Sequence, residues 1–242
     1  MCDTEEKWDE YMQTKVHPLL PAEWRDKFMA RTAELGVALR GGNAARSWEL
    51  LALLTVGSEE VSPESTARRA MFMYHVAPAT PTLRAVDEIV RFLPPGARVL
   101  EVNAHRGVWA RLVALRHGGV TALALHRASA AYKRPLADVW AVKSTESFVQ
   151  GADVRFDMLL LVAPAVQPTG DDEAAACVRA FGGRFVVHVR RDNEDDDVTT
   201  AAIDERFRSV GGCPVPSWGI ARDYLAVYER REQPFVAVRS AK

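Results

Sequence analysis

Residues 99–112, VLEVNAHRGVWARL, hold the groups best spaced for binding chemistry. A short apolar run reaches an acid, Glu101, and a tight polar loop follows, Asn103-Ala104-His105-Arg106-Gly107. An apolar helical stretch comes next. Strand, loop and helix in that order aim backbone N–H groups and the positive end of a helix dipole at one point. Polar or anionic parts of a ligand are held at such a point. Gly107 can supply an unusual backbone angle or a close approach, and Asn103 tolerates left-handed angles. A neutral imidazole, at His105 here or at His126 on the next apolar run, can accept one hydrogen bond.

Other reactive residue types are less organised. Cys2, Cys177 and Cys213 are far apart and form no CxxC, so neither a zinc knuckle nor a disulfide framework is expected. An odd cysteine count fits a reducing compartment. Cys177 lies in an alanine-rich helical stretch and reads as a small buried residue. Trp109, Trp140 and Trp218 suit core or lid packing, or stacking on a substrate. Asp157 marks a strand start or offers a base. Tyr74 and His75 either line the mouth of the loop site or pack beneath it. No metal set and no catalytic base can be named.

The elements that must position these groups fall into two textures. Residues 1–80 read as a helical extension or cover. EEKWDEYMQTKV is charged with spaced aromatics, and PAEWRDKFMARTAELGVAL is amphipathic, stopping at Gly41-Gly42. SWELLALLTV is a short buried helix. SPESTARRAMFMYHV has Ser62 as N-cap and Pro63 at the first helical position.

Residues 81–242 alternate strand and helix. TPTLRAVDEIVRFL is a helix ended by Pro94-Pro95-Gly96. ARVLEV is a strand buried on both faces. VWARLVALRH is a helix closed by Gly118-Gly119, VTALAL the next strand, and residues 138–143 supply a third. FDMLLLVAP is the most apolar run and is expected at the centre. GDDEAAACVRAF is a helix, GGRFVVHV a strand, VTTAAIDERFRSV a helix followed by Gly211-Gly212, and DYLAVYER a final strand. Alternation of this kind gives a mostly parallel sheet.

The whole chain has 242 residues, 48% apolar and 26% charged, enough for an independent core. No apolar run approaches the ~18 residues that span a bilayer. The start, MCDTEEKWDE, lacks the apolar segment of a signal peptide. A cytoplasmic protein without a membrane partner is the expectation. Formal net charge is -1. Residues 91–134 nevertheless carry eight Arg or Lys (Arg91, Arg98, Arg106, Arg111, Arg116, Arg127, Lys133, Arg134) against one acid, Glu101. They form either a solvated face or a basic rim for an anionic substrate, RNA or a protein partner.

The run at 99–112 resembles motif I of the S-adenosylmethionine (SAM)-dependent methyltransferases of class I: a hydrophobic strand ending in an acid, then GxGxG. Glu101 matches the acid and Gly107 the last glycine, while Asn103 and His105 stand at the first two glycine positions. In that family the acid is associated with the methionine end of SAM, and an acid ending the next strand binds the ribose hydroxyls. This chain has His126-Arg127 there, a pair better suited to a phosphate.

Residues 74–231 also resemble a group of predicted methyltransferases. The matching segments are Tyr74-His75-Val76-Ala77-Pro78, then the glycine loop with Trp109 as the second aromatic of a pair whose first is Val108 here. Leu160-Leu161-Val162-Ala163-Pro164, AAACVRAFGG and PSWGIARDYLAVYERR follow in order.

The resemblance implies an α/β fold: a Rossmann-like seven-stranded class I methyltransferase sheet with helices on both faces and an N-terminal helical extension. It implies SAM as cofactor, near Tyr74, Glu101, Asn103, Ala104, His105, Gly107, Trp109, His126, Val162 and Pro164, and an acceptor that remains open. VAPAV stands where amino-methylating nucleic-acid enzymes have NPPY. The alternative is a catalytically degenerate fold acting as a binding or assembly module. A nicotinamide dehydrogenase is disfavoured, because GxGxxG spacing is absent.

Overall fold

The computed structural model describes residues 5–56, 62–127, 135–142, 144–151, 155–162, 173–191, 197–216 and 223–231. The chain opens with helix α1 (Glu5–Tyr11), which runs into a π turn (Met12–Val16) and a 3-10 turn (His17–Leu19). Four helices follow: α2 (Ala22–Arg40), α3 (Ala44–Leu54), α4 (Pro63–His75) and α5 (Leu83–Val90). Three of them start where a side chain accepts an otherwise orphaned N–H. Asn43 Oδ1 accepts from Arg46 N ahead of α3, and Thr82 Oγ1 from Ala85 N ahead of α5. Ser62 and Ser65 cap each other reciprocally at the start of α4, with Pro63 at the first helical position as expected.

Seven strands form one sheet in the order β3-β2-β1-β4-β5-β7-β6. They are β1 (Arg98–Val102), β2 (Thr121–Arg127), β3 (Trp140–Val142), β4 (Met158–Val162), β5 (Phe185–Arg191), β6 (Phe207–Val215) and β7 (Asp223–Arg230). Six run in one direction, and β7 is antiparallel to its neighbours β5 and β6. The run expected at the centre is β4, buried at every residue. Its start is fixed to β1 by Asp157, whose N donates to Arg98 O and whose Oδ2 accepts from Arg98 N, both at 2.8 Å. Asp157 therefore sits at a strand start, in a structural role.

Helices cover both faces. Residues of α2 to α5 pack with α6 (Val108–Arg116) against Val99, Met158, Leu160, Val187 and Leu225. On the other side α8 (Glu173–Ala180) and α9 (Asp197–Asp204) pack on Leu100, Leu159, Leu161 and Val186, with α7 (Thr145–Gly151) alongside. The alternation of inward residues along β1, β4 and β5 between these two clusters is the period-two pattern of a doubly covered sheet. This is the Rossmann-like seven-stranded architecture that the sequence implied.

One element differs. The stretch expected as a helix through Val210 ends at Asp204, and residues 207–215 are the edge strand β6. Ile203, Phe207 and Val210 recur at helical spacing across that boundary, so periodicity alone carries the helix too far. Gly211 is no helix stop. A Cβ there would lie 2.5 Å from Glu88 Oε1 and 3.0 Å from the Phe92 ring, because α5 and its end cross the strand at that point. Helix α7 has no counterpart among the expected elements.

Candidate functional site

The chain leaves β1 for β2 and β3 on one side and returns to β4 on the other. The carboxyl ends of β1 and β4 thus bound the switch-point crevice where open α/β sheets bind ligands. Glu101 is in register with Leu160, and Val102 with Leu161. The loop 103–107 leaves β1 at this crevice and leads into α6.

Its backbone is unusual in a regular way. Asn103 has φ +55°, His105 φ +48° and Gly107 φ +75°. Every second residue of the loop is left-handed, a region that costs an L-residue about 1–2 kcal/mol and glycine nothing comparable. The loop therefore keeps a glycine-type conformation at two positions where the glycines are absent. Ala104 is buried, and its N donates to Leu125 O of β2 at 2.8 Å. His105 is 9% exposed, so its ring occupies interior volume that a glycine would leave open.

Gly107 answers to packing. A Cβ there would lie 2.7 Å from Val139 Cγ2 and 3.5 Å from Ala137 Cβ. Residues 136–139, which lead into β3, are tied to the loop: Leu136 N and Ala137 N both donate to Arg106 O at 3.1 Å. Arg40 Nη1, from the end of α2, donates to Leu136 O at 3.2 Å. Sequence reasoning did not place this segment on the loop, because the contact joins residues about thirty positions apart.

Glu101 is 2% exposed, and its Oε2 accepts the Ala110 N–H at 2.8 Å. Desolvation pushes its carboxyl up to about 8, with the Ala110 bond pulling in the opposite direction. The acid is thus committed to the first turn of α6, whose N-cap, Gly107, makes no side-chain cap. Trp109, also buried, donates from Nε1 to Ala79 O at 3.1 Å. It fastens α6 to the segment before α5.

Tyr74 and Arg106 join the loop to the N-terminal helices. Arg106 is 6% exposed; its Nε donates to Tyr74 O at 2.9 Å and its guanidinium lies 5.6 Å from the Tyr74 ring centroid. The Tyr74 hydroxyl bonds Asp9 Oδ1 of α1, and Trp8 stacks on its ring at 5.8 Å. Tyr74 also meets His75 edge-on at 4.8 Å. Desolvation, then Arg106 and His17, lower the His75 pKa to about 4, while Asp9 opposes them. Tyr74 is therefore held between the cover and the loop.

Val162 ends β4 beside Val189 of β5 and is buried. The backbone of His126 pairs with Ala141 of β3. The His126 side chain and Pro164 lie outside the described residues, as do Lys133 and Arg134 and the side chain of Arg127. Of the cations at 91–134, Arg106 is buried and Arg111 donates from Nε to Leu39 O at 2.7 Å, at the carboxyl end of α2. Arg116 pairs with Asp87 at 2.5 Å and Arg91 with Glu88 at 3.0 Å. Among the described residues no group of three or more His, Cys, Asp or Glu could hold a metal ion, and no helix is long and apolar enough to cross a membrane.

The crevice brings the loop 103–107, the end of β1 and the start of α6 together. Asn103, His105 and Gly107 all take the left-handed angles that glycine adopts most readily. The side chains depart from glycine at Asn103 and His105.

No family model and no curated protein matches the chain. Solved structures resemble it at low identity. A protein of the NADB-Rossmann superfamily from Streptococcus agalactiae is 16% identical with a TM-score of 0.46, covering 64% of this chain and 71% of that one. A TehB-like SAM-dependent methyltransferase from Corynebacterium glutamicum is 15% identical with a TM-score of 0.45, covering 69% and 97%. The magnesium protoporphyrin IX methyltransferase of Synechocystis, with bound SAH, is 8% identical with a TM-score of 0.43, covering 61% and 83%. The fold assignment rests on the strand order and its antiparallel β7, and not on these likenesses. By that order, the chain has a Rossmann-like α/β fold with one antiparallel strand.

Proposed function

We propose that the chain is a SAM-dependent methyltransferase of undefined acceptor, with the cofactor in the crevice between β1 and β4. The observation that supports this most is the left-handed conformation of Asn103, His105 and Gly107 in alternation. Two non-glycine residues hold a strained backbone there, and such strain clusters at ligand sites. SAM supplies an electrophilic methyl group. The chain's part is to hold it beside an acceptor. The backbone at Asn103, Ala104 and His105 and the end of β1 at Glu101 are the holding groups. Val162 at the end of β4 flanks them, and Pro164 and His126 are the remaining candidates by sequence. Tyr74, Gly107 and Trp109 act by fixing the loop against its cover.

A second reading is favoured by one specific observation. The Glu101 carboxyl is buried and bonded to Ala110 N, and His105 is buried as well. A chain that had lost the cofactor could retain both as packing and serve as a binding or assembly module, with RNA or a protein as partner.

Calorimetry with SAM and S-adenosylhomocysteine separates the two readings, using the wild type, His105→Gly and Glu101→Gln. Micromolar binding that His105→Gly strengthens and Glu101→Gln weakens supports the enzyme. Absence of binding at millimolar ligand, in the wild type and in His105→Gly alike, sinks it.

A further inference from the structure

Helix α1 is seven residues long, too short to be stable as an isolated helix. Lys7, Asp9, Glu10 and Tyr11 are exposed, and Trp8 is half-buried. Met12 and Val16, in the π turn that follows, are buried in the core. An opening of α1 can therefore stop at Met12 and leave the rest of the cover in place.

Two side chains of α1 meet Tyr74. Trp8 stacks on its ring with planes 22° apart, and Asp9 Oδ1 accepts from its hydroxyl. Tyr74 lies in the last turn of α4, where backbone carbonyls lack helical partners. Arg106, from the loop 103–107, supplies one. Its Nε donates to Tyr74 O, which sets a cation at the negative end of the helix. The Arg106 carbonyl in turn accepts from Leu136 N and Ala137 N. Asp9 and Arg106 act on His75 in opposite directions, so the acid and the buried cation belong to one charge cluster. Withdrawing the acid leaves the cation less well balanced. A path of direct contacts thus runs from α1 through Tyr74 to Arg106, whose neighbours His105 and Gly107 both hold left-handed angles. A strained backbone persists only while its surroundings hold it.

We propose that α1 is a detachable strap: docked on Tyr74 it holds the loop 103–107 in its left-handed form, and released it lets the loop relax. The coupling belongs to the ligand-free chain and does not require SAM. Its consequence for the crevice rests on the SAM reading above. A ligand that recognises the ordered loop binds the docked fraction, and favours docking in return.

The test is amide hydrogen exchange in the full chain without ligand, comparing the wild type with Trp8→Ala and Asp9→Ala. Each variant removes one contact to Tyr74 and leaves Tyr74, Arg106 and the loop unaltered in sequence. Three sets of amides are read: those of α1; those of Gly107, Leu136 and Ala137, which bond within or onto the loop; and those of Leu159 and Leu160 in β4. In both variants the first two sets exchange at least about fivefold faster, while β4 keeps its wild-type rate. The thermal midpoint of each variant identifies a folding defect, in which case the other variant is the readout. Faster exchange in α1 with the loop as protected as in the wild type overturns the proposal. So does unchanged exchange in both sets, or an equal rise at all three.

Discussion

The Ala110 N–H donates to Glu101 Oε2 at 2.8 Å, so the acid that ends β1 caps the helix that follows it. The unfolded carboxyl titrates near 4.5 and the folded one near 8. The folded state therefore holds the proton more tightly. Its contribution is fully present below about pH 4.5 and is lost as pH rises to about 8. Glu101→Gln keeps an oxygen for Ala110 N but cannot titrate. Its urea midpoint, set against that of the wild type, should gain steadily across this window, by on the order of a few kcal/mol in total. Parallel pH profiles for the two proteins would falsify the assignment.

His75 acts in the opposite direction. Its folded pKa is about 4 against an ordinary 6.5, so the folded state takes up its proton later than the unfolded chain. The stability it contributes is present above pH 6.5 and lost as pH falls toward 4. His75→Phe should be more resistant than the wild type at pH 5 while differing little in pH dependence above pH 7. Thermal melts at a series of pH values decide it. An acid slope unchanged by the substitution would place that slope on other groups.

Gly107→Ala meets two obstacles, a φ of +75° and a contact of 2.7 Å with Val139 Cγ2. Together they should cost about 2–4 kcal/mol in chemical denaturation. Val139→Ala removes the contact and leaves the angle. The double variant should therefore recover part of the loss, with a coupling of about 1 kcal/mol. Strict additivity would mean that the segment 136–139 moves away freely.

His105 tests the strain in the loop. His105→Gly removes the left-handed penalty but empties a buried position, so its melting temperature should stay close to that of the wild type. His105→Val combines a β-branched side chain with φ +48°, and should lose about 1–3 kcal/mol relative to His105→Gly. If valine were tolerated as well as glycine, the loop would have relaxed to another conformation.

The fold was legible wherever burial on both faces wrote a continuous apolar run. VLEV and MLLLV read as strands, and the apolar face of α5 reads as a helix, because single elements carry those patterns. The boundary at Asp204–Phe207 was not legible, because a helix end and an edge strand happen to continue one apolar spacing. Short α7, TESFVQG, offers too few turns for a period to emerge. At the site, Glu101, Asn103, His105 and Gly107 were visible as a pattern of types. Arg106 was not: as a residue it reads as one more surface cation, and only its bond to Tyr74 O, 32 positions away, puts it inside. The placement of Leu136 to Val139 on the loop was hidden for the same reason.

The edge strand β6 has a consequence for how copies of this protein meet each other. Long, flat, unpaired strand edges recruit strands from neighbouring molecules and seed aggregation. Here the outer strand carries a register shift between Ser209 and Gly211, and Pro214, which has no N–H to offer, near its end. The opposite edge, β3, is only three residues long. Among the described residues both borders of the sheet are thus poor templates for strand-by-strand growth into a fibre.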